Sequence, residues 1–493
     1  MGWDTKKTSV GLLCFVNLIN YMDRYTVSGV LSEIEADLDL EHWQGGLLQT
    51  AFIVCYFASA PLFGYLGDRY SRKWLMIVGM VAWSLCTLIG TFMPTYWPFL
   101  VFRAAIGFGE AGFTSIAPTV LGDLYANEGR SIVLALFYFA IPVGSGLGYI
   151  VGSGVGAAFG DWRWGLRVTP ILNVIAVLLM IFFMKDPERG EADTLNPHRA
   201  GNSFKDYVQD LVYLIKNRSF ILTTLGFTFL CFCTGSLSWW GPVFVEDAIK
   251  VREEYGLETA IGVNDVAFIF GVIMCIAGVL GLCLGSGLSY KLRDRYPWVD
   301  PVICGVGLVV SAPFLFCALG YAQDGVVLAL VLVTIGEAFL NMNWAVVVDI
   351  SLYVVVPNRR SSAEALQLML SHALGEAGSP YLIGLMAGSL KENMIGDASH
   401  NPSNGTLNMS DMERDYYAFQ YSLFMCVAFE VVGGLFFLWA TLYVVDDKRK
   451  AAEYIQDFDE SLVGGEIQNP SFNQASGSSS RRNSVSKKDV KQS

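Results

Sequence analysis

The chain has 493 residues, 53% of them hydrophobic and only 16% charged, with a mean hydropathy of +0.44. A water-soluble domain carries about 25% charged residues, so this chain lacks the polar surface of a soluble enzyme or a nucleic-acid-binding module. The formal net charge of −12 is spread over loops and tail and points to no particular partner.

Twelve apolar stretches are each long enough for a helix of about 20 residues to cross a bilayer. They centre on residues 9–32, 45–66, 74–93, 97–122, 131–159, 164–184, 219–245, 265–290, 302–322, 325–355, 361–390 and 417–445, numbered below as spans 1 to 12. The first eight residues run straight into span 1 with no small-residue cleavage site, so no cleaved signal peptide is expected. If the N-terminus is cytoplasmic, 25 Lys and Arg lie in cytoplasmic segments and 6 in the opposite loops, the asymmetry of the positive-inside rule. Both termini are therefore expected in the cytoplasm.

Span 1 holds Asp23 and Arg24 side by side, and span 4 holds Arg103 and Glu110. An ionised side chain at the middle of a membrane helix costs roughly 3 kcal/mol on insertion scales, so such groups line a polar path or pair across one. Arg103 and Glu110 are seven apart and share a helix face; Asp23 and Arg24 lie about 100° apart around theirs. A carboxylate taken out of water readily exchanges a proton near neutral pH, and a guanidinium fork suits a phosphate. Alternatively, the four charges neutralise one another as a fixed network that orders the bundle.

After span 2 comes GYLGDRYSRK, residues 64–73, with Asp68 among Arg69, Arg72 and Lys73. The acid among the bases reads as a gate that contacts the other half in one state only; a cluster that merely fixes topology would not need it. Span 5 carries Gly144, Gly148, Gly152 and Gly156 at every fourth position, a smooth ridge that admits another backbone. Span 8, with Gly278, Gly281 and Gly285, is the expected partner, either for static packing or for a surface on which two halves rock. Residues 185–218 divide the spans six and six, and Phe204, Val208, Leu211, Val212 and Ile215 there have the spacing of an amphipathic surface helix.

The two halves echo each other: Gly109-Glu110-Ala111 recurs as Gly336-Glu337-Ala338, and residues 64–73 have a degraded counterpart at 287–293 that lacks an acid in the position of Asp68. A weak repeat of six spans is the mark of a secondary transporter. Glu337 and Asp349 share one face of span 10, and span 11 sets His372 four residues before Glu376, close enough to couple. Asn404 and Asn408 are glycosylation sequons between spans 11 and 12. From residue 446 the chain turns polar and serine-rich and reads as a disordered cytoplasmic tail. The ten cysteines all fall in apolar segments, as small hydrophobes and not as disulfides or metal ligands; no metal or cofactor is expected.

The motif over 64–73, Arg103-x-x-x-Gly107-x-Gly109 and the glycines of span 5 match signatures of the major facilitator superfamily. More specific strings narrow the resemblance: NYMDR (20–24), YFAIPVGSGLGY (138–149), DWRWGLRVTP (161–170), Met342-Asn-Trp-Ala345 and SHALGEAGSPY (371–381) resemble the Spinster family over roughly residues 8–445. Members of that family move lysophospholipids or sphingosine-1-phosphate, often with proton coupling. The resemblance also places a histidine equivalent to His372 near the lipid and proton path.

The expected molecule is an all-α membrane protein, not an enzyme. A cytoplasmic N-terminus (1–8), a six-helix half (9–184), a linker (185–218), a second six-helix half (219–445) and the tail (446–493) make up the chain. It is expected to work as a monomer by alternating access. Asp23, Glu110, His372 and Glu376 are the candidate proton carriers. Arg24, Arg103, Phe52, Tyr138, Trp344 and His372 are the candidate substrate contacts, with Asp68, Arg69, Arg72 and Lys73 at the gate. The same arginines would also serve a carrier of small organic anions.

Overall fold

The computed structural model describes residues 5–67, 69–125, 127–184, 211–356, 359–400 and 409–468. Twelve helical spans run through it. The first half comprises span 1 (Thr5–Thr26), span 2 (His42–Gly67), span 3 (Arg72–Gly90), span 4 (Tyr96–Thr114 then Ala117–Leu124), span 5 (Asn127–Phe159) and span 6 (Trp162–Phe183). The second comprises span 7 (Arg218–Glu254), span 8 (Val266–Leu292), span 9 (Val299–Tyr321), span 10 (Val326–Asn341 then Asn343–Val354), span 11 (Arg360–Ser371, His372–Glu376, Ser379–His400) and span 12 (Asp411–Gln468). Ten of these are long and apolar enough to cross a membrane by composition alone. The first and eleventh are not among them, because Asn17, Asn20, Asp23 and Arg24, and Arg360, Glu364, His372 and Glu376, lower their hydropathy.

Two boundaries depart from the sequence expectation. Span 1 ends at Thr26, and the chain then folds over as a 3-10 turn (Ser28–Val30) and a short helix (Leu31–Leu38). Span 12 continues well past residue 446, to Gln468, so the segment expected to be disordered begins as helix. At 1.5 Å per residue its 58 residues reach about 87 Å, nearly three times the hydrocarbon thickness of about 30 Å. Of the expected linker helix, residues 211–216 are described and are helical; Phe204 and Val208 lie outside the described residues.

Spans 4 and 10 break at equivalent places, which is the internal repeat made structural. Pro118 at the start of the second helix of span 4 has no N–H and would collide with the carbonyl one turn back, so the helix restarts there. In span 10 the break at Met342 is bridged by Asn341 and Asn343, which donate to the carbonyls of Glu337 (2.8 Å) and Leu340 (2.9 Å).

The glycine ridge of span 5 corrects the expected pairing. A Cβ on Gly144, Gly148 or Gly152 would stand 2.7, 2.5 or 2.7 Å from the carbonyl oxygens of Leu18, Met22 and Thr26. The ridge therefore packs on span 1, inside its own half, and is not the rocking surface. Spans 5 and 8 do pack on each other across the halves, but off the ridge: Gly146 meets Gly271, and Gly278 lies against Pro142. Gly281 and Gly285 turn instead to span 10, against Ala338 and Met342. Small residues let membrane backbones approach closely, and each row has a different partner.

Hydrogen bonds between the halves gather at the end that holds the short helix after span 1. Ser28 donates to the carbonyl of Ser238 (2.7 Å), as does Tyr149. Trp239 donates to Gly45 O (3.2 Å), Thr50 to Ala377 O (2.5 Å), and Ser32 to Glu246. That end is closed. Tyr138 of span 5 and Leu374 of span 11, nearer the end holding the termini, are 42% and 67% exposed.

Candidate substrate and proton site

Arg24 sits where the halves meet, midway along the bundle. Its Nη2 lies 3.6 Å from Glu110 Oε2 on span 4, and its Nη1 lies 3.9 Å from Glu376 Oε1 on span 11. The guanidinium rests over the rings of Tyr21 (5.1 Å), Phe52 (5.0 Å) and Tyr56 (5.5 Å), where the negative ring faces favour a cation. Arg24 is buried, yet neither ion pair is at close hydrogen-bonding distance and its Nε has no acceptor. A fork held this loosely has donors to give to an anion.

Glu376 also takes His372 Nδ1, one turn before it. These five residues, His372–Glu376, wind as a π turn, in which Ala377 N–H reaches back to His372 O at 2.8 Å. Gly375 lets this wider turn lie against span 7, since a Cβ there would stand 2.5 Å from Thr228 O. Single π turns inside α-helices frequently mark functional positions. Around His372 stand the rings of Phe57 (5.8 Å), Trp344 (6.1 Å) and Phe227 (6.2 Å). A loosely held guanidinium and a His–Glu pair thus adjoin an aromatic wall.

Not every expected residue joins that group. Asp23 points the other way, into its own half, where Trp83 Nε1 (2.8 Å), Thr87 Oγ1 (3.4 Å) and Thr169 Oγ1 all donate to it. Arg103 donates to the carbonyl of Arg24 at 3.1 Å and lies 4.7 Å over the Phe52 ring. A narrow cavity beside Asp23 and Arg103, lined by Thr87, Phe99 and Leu166, lies within the first half. Phe52 is fully buried beneath the two guanidinium groups, while Tyr138 and Trp344 remain partly open. Sequence reasoning missed Tyr21, Tyr56, Phe57 and Phe227. Tyr21 stands one turn before Arg24, and Tyr56 and Phe57 one turn after Phe52, so helical spacing from the charged and aromatic candidates could have found them.

Asp68 lies outside the described residues, as do Asn404 and Asn408. The bases beside Asp68 contact their own half: Arg69 covers the Tyr65 ring at 3.6 Å, Arg72 pairs with Asp123, and Lys73 donates to the carbonyls of Ile181 (2.9 Å) and Met184 (2.7 Å). The second half has a counterpart of the Arg72–Asp123 pair, although its loop lacks an acid in the position of Asp68. Arg293 pairs with Asp300 and with Asp349, each at 2.7 Å, and Asp349 stands in span 10 within one residue of the position that Asp123 holds in span 4. Glu337, by contrast, is buried and accepts from Asn341 at 3.1 Å.

Two six-helix halves, a closed end and a charged group between the halves define a major facilitator transporter, and the profile of the Major Facilitator Superfamily matches residues 13–380. The chain belongs to the spinster family within it. It is 46% identical over 484 residues to protein spinster of Drosophila melanogaster, covering 91% of this chain and 78% of that protein. It is 45% identical over 460 residues to protein spinster homolog 1 of Homo sapiens, covering 91% and 83%. In fold it is similar to a bacterial homolog of the human lysosomal transporter Spinster, solved in an inward-facing, unoccupied conformation: TM-score 0.78, 19% identity, 91% of this chain and 99% of that one. The nucleoside transporter NupG shares the fold at a TM-score of 0.61 and 15% identity, with 89% and 99% covered.

Proposed function

We propose that this transporter moves a single-chain lipid with an anionic headgroup, a lysophospholipid or sphingosine-1-phosphate, by proton-coupled alternating access. The observation that carries the reading is Arg24 held loosely between Glu110 of one half and Glu376 of the other. A phosphate entering between the halves takes the Arg24 fork in place of the carboxylates. The released carboxylates, in a site of low dielectric, then favour a proton over an unpaired charge. When the lipid leaves, the protons leave and the ion pairs close again. Glu110 and the His372–Glu376 pair are the proton carriers in this scheme, and the acyl chain lies along Phe57, Trp344 and Tyr138. Arg103 shapes the clamp through the Arg24 carbonyl, and Asp23 orders the first half.

With both termini in the cytoplasm, the closed end faces the lumen or the outside and the open end faces the cytoplasm, which is the inward-facing state. The basic clusters at Arg69, Arg72 and Lys73, with Asp68, and at Arg293 then sit at the cytoplasmic rim as the gate, and Asn404 and Asn408 carry glycans on the opposite side. One chain holds the whole path and works as a monomer. The late endosomal or lysosomal membrane suits this reading, since an acidic lumen supplies the driving gradient; the plasma membrane is the other candidate.

The test is uptake of radiolabelled lysophosphatidylcholine and sphingosine-1-phosphate into proteoliposomes under an imposed pH gradient. Gradient-driven movement of one lipid supports the reading. Movement of neither by folded, oriented protein overturns it in favour of a small organic anion.

A further inference from the structure

At the closed end, His42 opens span 2 with a carboxylate at each ring nitrogen. Its Nδ1 lies 3.4 Å from Glu35 Oε2, on the short helix of the same half, and its Nε2 lies 3.2 Å from Asp415 Oδ1, at the start of span 12 in the other half. A neutral imidazole carries one N–H and one lone pair. One of these two contacts would then set a lone pair against a carboxylate oxygen. Only the doubly protonated ring donates to both acids at once.

The surroundings leave little alternative. The second oxygen of Glu35 is buried without a hydrogen-bond partner, so His42 is the cation on which this acid depends. Asp415 is shared with Lys391 of span 11, at 2.7 Å. Asp247 of span 7 faces the same group and is held by Lys250 at 3.0 Å. The imidazole is wedged against Phe419 (ring centroids 4.5 Å apart) and Trp240 (6.0 Å), and Gly384 of span 11 lies against its carbonyl. His42 cannot swing away while this end stays closed.

We propose that His42 is a second proton-binding site of this transporter, and that its protonated form latches the closed end by joining Glu35 to Asp415. Loss of the proton leaves one N–H for two acids: either Asp415 of the other half or Glu35 then faces a lone pair, and in both tautomers the cation that drew the two carboxylates together is gone. Acid on that side therefore favours closure there, and rising pH favours opening. The inference rests on alternating access, but on neither the lipid substrate nor the interior proton carriers.

The test is a distance measurement that needs no substrate. Nitroxide labels on Ala36→Cys and Leu257→Cys, one exposed position in each half at the closed end, would be placed in the full chain in lipid nanodiscs with the native cysteines replaced. Pulsed electron paramagnetic resonance then follows the two populations from about pH 5 to about pH 10, a range that starts below free histidine and extends upward because a cation held between two acids gives up its proton late. The open-to-closed ratio is expected to rise on the order of tenfold with pH, as the loss of one charged hydrogen bond implies. Glu35→Gln should stay closed throughout, because its amide donates to the unprotonated Nδ1 while Nε2–H still serves Asp415. His42→Gln should show a ratio that moves with pH clearly less than that of the wild type, whatever the interior carriers contribute to both. A wild-type ratio flat in pH overturns the latch, and so does an unchanged pH response in either variant. Failure of the lipid uptake assay would leave these distances untouched, so the two proposals fall separately.

Discussion

Arg24 stands 3.9 Å from Glu376, and this is the ion pair that crosses between the two halves beside the π turn of span 11. Its other carboxylate, Glu110, belongs to its own half. A cation shared in this way reports which half's carboxylate is protonated, and a phosphate competes with both acids for one fork. The planar guanidinium matters here, because it offers separate nitrogens to two acids and rests on three aromatic rings. Arg24→Lys keeps the charge as a single point and loses the fork. Lipid uptake is expected to fall at least about tenfold, the loss of roughly 1.4 kcal/mol of headgroup binding, with thermal stability little changed. Initial rates in proteoliposomes, beside melting in detergent, check both halves of the expectation.

Glu110→Gln imitates the protonated carboxyl and cannot release its proton. Net uptake driven by a pH gradient should disappear. Exchange of labelled for unlabelled lipid should continue, because Arg24 is then free to bind the headgroup at every pH. Counterflow without a gradient measures the second quantity. Loss of both activities by folded protein would show that Glu110 holds Arg24 in place and does not carry the proton.

What the sequence disclosed here was the set of expensive residues, and not their directions. Asp23, Arg24, Arg103, Glu110, His372 and Glu376 stand out because charge in an apolar run is a one-dimensional signal. So is the six-plus-six repeat that gives the fold. The pairing of Arg24 with Glu376 is different in kind, since it joins spans 1 and 11 and depends on how the halves dock. The π turn adds one residue to a helical turn, which shifts every face argument beyond it. The ridge of span 5 was visible as a ridge, but small residues leave no mark of which neighbour they admit. His42 went unremarked because it lies outside the apolar run of span 2, and only the fold brings Glu35 and Asp415 to its two nitrogens.

Asp23 and Arg24 are adjacent in sequence, and the structure separates their roles. Three side chains donate to Asp23 inside the first half. Asp23→Asn removes the charge while keeping one carbonyl acceptor, and it turns an NH2 toward groups that donate. A destabilisation of about 1–3 kcal/mol is expected, the penalty for a mismatched buried hydrogen-bond group. It should appear as a lowered melting temperature, while uptake by the surviving protein keeps its dependence on the pH gradient. An Asp23→Asn protein that melts normally but has lost gradient-driven uptake would move the proton from Glu110 to Asp23.

Gly148 tests the packing of span 5 on span 1. A Cβ there would lie 2.5 Å from Met22 O and 2.9 Å from the Tyr25 side chain, both on the helix that carries Arg24. Gly148→Val must push the two backbones apart, and overpacking of this kind costs typically about 1–3 kcal/mol. Gly154, on another face of the same span, has open space around it, so Gly154→Ala is the matched control. The valine variant is expected to melt lower and to lose uptake as span 1 shifts Arg24 away from Glu110, whereas the control keeps both properties. A second measurement separates this static seam from a sliding one. A disulfide between cysteines placed at Leu18 and Gly144, whose backbones meet at that seam, should leave transport intact if spans 1 and 5 move as one body. Transport blocked by the bridge and restored on reduction would instead return the ridge to the moving interface.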